Sequence, residues 1–203
     1  MGDLSIFNLS DYVDKYGCKT YIETGTGQAV CLTYATNYGF NKFYSIDLDG
    51  DLIEEAKSKF ISNKKVELIH DYSTEGLKYV CSLLPEGESV LFFLDAHFPG
   101  ADFHKMTYEE SMTEFQNQSF PLAEEIKSIK DNRDITNDYF IVDDWKLYDR
   151  TKNYEYPEWE YEDVQKRLGL ETNGSKIISE FGDTHTHEVS LRHQGFLFLN
   201  PKG

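Results

Sequence analysis

Positive charge is what this chain has least of. Its 203 residues include 20 Lys or Arg against 36 Asp or Glu, a formal charge of −16. A protein that grips nucleic acid neutralises phosphates with a basic face, so no nucleic-acid partner is expected. A polybasic membrane anchor is excluded on the same ground. Long apolar runs are also missing, and nothing approaches the roughly 20 residues of a membrane span. The start, MGDLSIFNLSDYVDKYG, has neither a basic flank nor an apolar stretch, which argues against a secretory leader. Gly2 follows Met1, yet Ile6 stands where a myristoylation signal needs Ser or Thr. Cysteine is scarce: Cys18, Cys31 and Cys81 are odd in number and not spaced as metal ligands, so reduced thiols in the cytoplasm are expected. Repeats, low-complexity tracts and Pro/Ser-rich linkers are absent. Arginine does not occur before Arg133. It then appears with Arg150, Arg167 and Arg192, so the second half is the expected place for binding an anionic substrate group, unless this is ordinary scatter of surface charge. What is present is apolar material enough for a core, 39% hydrophobic and 15% aromatic. The length suits a single domain, residues 1–203.

The order of elements is the next signal. Apolar spacing predicts a helix over 5–16, with Asn8 or Ser10 as cap. A strand at 19–23 ends in the turn TGTG, and a helix over 28–38 stops at Gly39. Strand 42–47 precedes an amphipathic helix, 50–61, with acids first and lysines last, as the helix dipole prefers. Strand 65–70 precedes helix 73–84, with Ser73 as N-cap. The run SVLFFLD, 89–95, reads as a strand buried on both faces. This β-α-β-α-β-α-β order predicts a mostly parallel sheet with helices on both faces. After a polar insertion, 99–119, Pro121 opens the helix PLAEEIKSIK, and 139–143 is a further strand. A helix near 159–169 follows. Segments 175–182 and 189–199 read as a closing antiparallel hairpin around the turn GDTHTH, with His185 and His187 at an exposed tip.

Three strand ends carry chemistry. Glu23-Thr-Gly25-Thr-Gly27 closes the first strand; its glycines permit a tight turn and close approach to a ligand, and the next helix offers free N–H groups. A dinucleotide fingerprint needs a third glycine where Val30 stands, which weakens a nicotinamide oxidoreductase reading. An acid before the first glycine suits a cationic amino group better than a pyrophosphate. Asp47 ends the second strand, where a carboxylate can accept both ribose hydroxyls of an adenosine. Asp49 and Asp51 beside it suit helix capping. Asp71 ends the third strand, within reach of an adenine amino group or as a turn residue.

The run YIETGTGQAV, KFYSIDLD, VELIHDYS and VLFFLDAH resembles the class I S-adenosylmethionine-dependent methyltransferases over residues 20–97. The resemblance implies a Rossmann-like α/β fold. It also implies S-adenosylmethionine as cofactor, held by Glu23, Gly25 and Gly27 at the methionine end, Asp47 at ribose and Asp71 at adenine. Downstream, Leu94-Asp95-Ala96-His97, Pro121-Leu-Ala-Glu-Glu-Ile126 and Val142-Asp143-Asp144 form an LDAH, PLxEEI, VDD pattern. It is similar to macrocin-type metal-dependent O-methyltransferases, which place an acid after the fourth strand and an Asp-Asp pair after the fifth. The resemblance implies a divalent cation, Mg²⁺ first, on Asp95, Asp143 and Asp144. His97 is the candidate general base beside Asp95. The implied acceptor is a small molecule or glycan hydroxyl. The insertion 99–119, which contains His104, is the candidate substrate lid. The aromatic tract with Tyr148, Tyr154, Tyr156, Trp159 and Tyr161 either stacks on a sugar, packs on the sheet edge or makes a homo-oligomer interface. A binding or assembly protein that keeps the fold without turnover is the alternative.

Overall fold

The computed structural model describes residues 4–101, 103–149 and 174–203. The helix expected near 159–169, Arg150, Arg167 and the aromatic tract beyond Tyr148 lie outside them.

Seven strands form one sheet: β1 Thr20–Thr24, β2 Lys42–Asp47, β3 Val66–His70, β4 Val90–Leu94, β5 Tyr139–Val142, β6 His185–Ser190 and β7 Phe196–Pro201. Their order is β3-β2-β1-β4-β5-β7-β6. The first five are parallel, and β7 runs antiparallel to both β5 and β6. This is the expected mostly parallel sheet with a C-terminal antiparallel hairpin.

The central strands read as apolar runs because helices cover both faces. Along β4, Val90, Phe92 and Leu94 face one core, with α4 (Ser73–Leu83) and α6 (Leu122–Asn132). Leu91 and Phe93 face the other, with α2 (Val30–Ala35), Leu4 and Leu9. All five are buried, and each is expected to contribute about 1.5–3 kcal/mol of transfer free energy. Helix α3 (Gly50–Lys59) starts as expected: Asp49 is its N-cap and accepts from the Asp51 and Leu52 amides.

Four expectations change. The 5–16 helix is a 3-10 turn, Leu4–Ile6, and a short α1, Ser10–Asp14. The Phe7 carbonyl between them accepts from Tyr34 Oη at 2.8 Å instead of from a helical amide. Tyr72, not Ser73, is the N-cap residue of α4. The insertion contains α5, Tyr108–Phe115, whose capping box joins Thr107 and Glu110. The segment expected as strand 175–182 begins with α8, Gly174–Ser179, which buries Ile177 and leads to buried Phe181. The closing turn therefore falls at residues 191–195, and Gly195 takes φ +87°.

His185 is not at a tip either. It is 4% exposed in β6, where Nε2 meets the Asp138 carbonyl at 2.8 Å and Nδ1 meets Thr184 Oγ1 at 2.7 Å. Burial lowers its pKa, so the ring is neutral and structural. Arg133 is structural too: its guanidinium grips Asp138 at 2.7 and 2.9 Å and the Glu88 carbonyl at 2.8 Å, which removes it from substrate recognition.

Candidate active site

In an open parallel sheet, ligands bind beyond the carboxyl ends of the strands, where the strand order reverses. Here that point lies between β1 and β4. A crevice opens there, lined by Gly25, Gly27, Asp47, Tyr72, Asp95 and His97 among others.

The glycine turn is built for close approach. Gly25 and Gly27 take φ +79° and +49°, in the left-handed region that favours glycine. A Cβ on Gly25 would lie 2.6 Å from the Asp95 carbonyl oxygen, so the turn rests directly on the end of β4. Asp47 braces it from the next strand: Oδ2 accepts from Gly27 N and Oδ1 from Asp49 N, both at 2.8 Å. Burial raises the pKa of Asp47, against the pull of those amides.

Glu23 and Asp71 do not reach the crevice lining. Glu23 is 1% exposed and turns beneath the turn. Tyr21 Oη donates to Oε2 at 2.8 Å and Ser45 Oγ to Oε1 at 2.6 Å. Ser45 Oγ lies 2.6 Å from Thr26 Oγ1, so a hydroxyl chain joins the carboxyl to the turn. Burial pushes Glu23 up to about 7 against the Ser45 and Tyr21 bonds. Asp71 is exposed and accepts from the Tyr72 amide at 2.8 Å. Tyr72 and Ser73, not Asp71, form the crevice wall there.

Asp95 and His97 line the crevice, Asp144 is buried beside them, and one ligand atom from each of the three lies within 4.8 Å of the others. His97 Nε2 bonds Asp144 Oδ2. Burial pushes Asp144 up, but the His97 charge and hydrogen bond hold it below the usual carboxylate range. Asp95 is raised well above that range by burial and then by Asp143. Its Oδ1 is sealed from solvent with no hydrogen-bond partner among the described residues. Asp143 stands beside this group rather than in it. Its Oδ1 accepts from Asp144 N at 2.7 Å, and its buried Oδ2 has no partner among the described residues. Burial and Asp144 push it up to about 7. The three atoms brought together are thus carboxylate, imidazole and carboxylate, with His97 where the sequence pattern suggested Asp143. Asp144 takes φ +51°, a conformation Asp tolerates better than most residues.

Two further residues belong to this region. Glu125 of α6 is 1% exposed, and its Oε1 has no partner among the described residues. Burial pushes it up to about 7, while Ser73, Thr24 and His97 pull it down. It stands on the apolar stripe Leu122, Ile126, Ile129, and an acid at such a position is the sequence signal that marks it. Tyr148 of α7, Trp145–Tyr148, is buried close to the same acids, and burial followed by Glu125 raises its pKa further.

No protein-family model matches the chain, and no curated protein matches its sequence. Solved structures do match in shape. An SAH-bound methyltransferase from Podospora anserina aligns with TM-score 0.58 at 16% identity, covering 91% of this chain and 72% of its own. This is the Rossmann-like methyltransferase fold. An O-methyltransferase from Bacillus cereus in complex with SAH aligns at 0.57 and 14% identity, covering 96% and 79%. The O-methyltransferase TomG from Streptomyces achromogenes, in complex with SAM, aligns at 0.56 and 14%, covering 96% and 78%.

Proposed function

We propose that the protein is an S-adenosylmethionine-dependent methyltransferase acting on a hydroxyl of a small molecule or glycan, assisted by a divalent cation. The observation that carries this reading is one crevice with two differently equipped walls. The glycine turn braced by Asp47 forms one wall, and Asp95 and His97, with Asp144 bonded to His97, form the other.

Gly25 and Gly27 fit a bulky ligand pressed against backbone, and Asp47 presents a carboxylate at the end of β2 to ribose hydroxyls. S-adenosylmethionine supplies the methyl group on a sulfonium. Asp95 and Asp144 supply oxygen donors and His97 a nitrogen donor to a hard divalent ion such as Mg²⁺ or Mn²⁺. Such an ion acidifies and orients a bound hydroxyl. The unpartnered Asp95 Oδ1 fits a cation, because a buried carboxylate oxygen left without a donor is costly. Asp144 holds the His97 ring in place, and an imidazole with one nitrogen on Asp144 and the other on a cation has none left to take the acceptor's proton, so in this reading His97 is a ligand and not the base. Fold likeness alone does not supply these roles. They rest on the site.

Calorimetric titration with S-adenosylhomocysteine and Mn²⁺ titration followed by electron paramagnetic resonance test the two walls separately. Asp47→Ala is expected to weaken S-adenosylhomocysteine binding at least tenfold and to leave Mn²⁺ binding intact. Asp144→Ala is expected to do the reverse, with Asp143→Ala costing Mn²⁺ less. A wild-type protein that gives no binding heat with millimolar S-adenosylhomocysteine removes the proposal. One observation favours a second reading, a binding protein without turnover: Phe103 packs onto the glycine turn.

A further inference from the structure

The connection between β4 and α5 does more than span the insertion. Its base is fixed, since the Phe98 ring meets Phe120 and Tyr108 edge-on, with centroids 4.5 and 4.9 Å apart. Phe98 N also donates to the Ser119 carbonyl at 2.9 Å. Its tip is held differently. The Phe103 ring lies against Gly27, with Cζ 3.2 Å from where a Cβ on that glycine would stand. Lys105 Nζ bonds Asp49 Oδ2 and lies 3.3 Å from Asp51 Oδ2, at the start of α3. Asp49 is two residues from Asp47, and both line the crevice with Phe103. The tip therefore covers the glycine-turn wall, not the Asp95–His97–Asp144 wall.

We propose that this loop gates the cofactor crevice, with Phe103 as a plug on the glycine turn and Lys105 as a latch on Asp49 and Asp51. The inference rests on the proposed cofactor reading and assigns the insertion to cofactor admission in place of acceptor binding. The hold on the tip is weak enough to release. The Lys105 side chain is 39% exposed and its partners are unequal, Asp51 at 89% and Asp49 at 18%, and an exposed pair such as Lys105–Asp51 shifts an equilibrium by about fivefold at most. A ligand with an apolar or cationic part above Gly27 and a ribose on Asp47 would displace the ring and break the latch together. Opening then limits the rate of entry.

Stopped-flow association of S-adenosylhomocysteine, followed by intrinsic tryptophan fluorescence, tests this. Lys105→Gln and Phe103→Ala alter side chains at the loop tip, and their folding is checked by circular dichroism. Both are expected to raise the association rate about threefold to fivefold. The wild-type rate should rise with NaCl as the latch is screened, and the Lys105→Gln rate should not. Equal association rates in all three proteins overturn the gate and leave the methyltransferase reading standing. Absence of binding in all three overturns both.

Discussion

Glu23 and Glu125 are both buried carboxyls pushed up to about 7, yet they are held in different ways. Each Glu23 oxygen accepts from a hydroxyl, whereas Glu125 Oε1 has no partner. The sign of the pH effect is the same for both. A carboxyl whose native pKa exceeds its unfolded value near 4.5 holds more protons when folded, so stability falls as pH rises from about 4.5 to about 7. For Glu125 the full cost above that window is on the order of 3 kcal/mol. Glu125→Gln keeps the shape and removes the charge. In the presence of EDTA it is expected to raise Tm at pH 8 and to leave it nearly unchanged at pH 5, read by differential scanning fluorimetry at both values. A gain of equal size at the two pH values would show that ionisation of Glu125 is not what the substitution relieves. Glu23→Gln should gain less, because its amide NH₂ must face a hydroxyl that now donates.

Among the elements, α4 shows how propensity and packing compete. Gly76 lies inside it, where Gly→Ala ordinarily stabilises a helix by about 1 kcal/mol. A Cβ there would lie 2.6 Å from Ile46 Cγ2, and Ile46 is fully buried in β2. Overpacking costs about 1–3 kcal/mol, so packing wins. Gly76→Ala is expected to lower the urea midpoint. In an Ile46→Ala background the same change should be neutral or stabilising, and a cycle showing no coupling would refute the contact. Such long-range pairings set what was legible in the sequence. Strands β1 to β5 and helices α3 and α4 were readable because double burial gives apolar runs and single burial gives amphipathic ones. The early helix was misread because a tertiary bond from Tyr34 takes the Phe7 carbonyl. The run KIISEF serves strand or helix equally until Ile177 and Phe181 find the core. Thr107-x-x-Glu110 is the local sequence signal that starts α5. At the site, the strand-end positions put Gly25, Gly27, Asp47, Asp95 and Asp144 on one edge of the sheet. Side-chain direction was not encoded there, which is why Glu23 and Asp71 point away from the crevice.

For the whole molecule, the charge of −16 has two parts that respond differently to salt. Most acids are solvated and repel one another weakly, and any electrolyte screens them. Asp95 and His97 line the crevice, Asp143 and Asp144 are buried beside them, and a bound divalent ion would act on this group by mass action. A site filled at one hundred times its dissociation constant stabilises the fold by about 2.7 kcal/mol. For a chain of about 200 residues, that raises Tm by roughly 5–10 °C. NaCl at matched ionic strength should give only the smaller screening rise. Thermal melts in MnCl₂ or MgCl₂ against matched NaCl therefore separate the two contributions. Asp144→Asn is expected to keep the NaCl response and lose most of the divalent excess, since it removes one of the two carboxylate charges without changing the size of the side chain. If Asp144→Asn and wild type show the same divalent excess, the ion acts on the surface at large, and the Asp95–His97–Asp144 group is not its site.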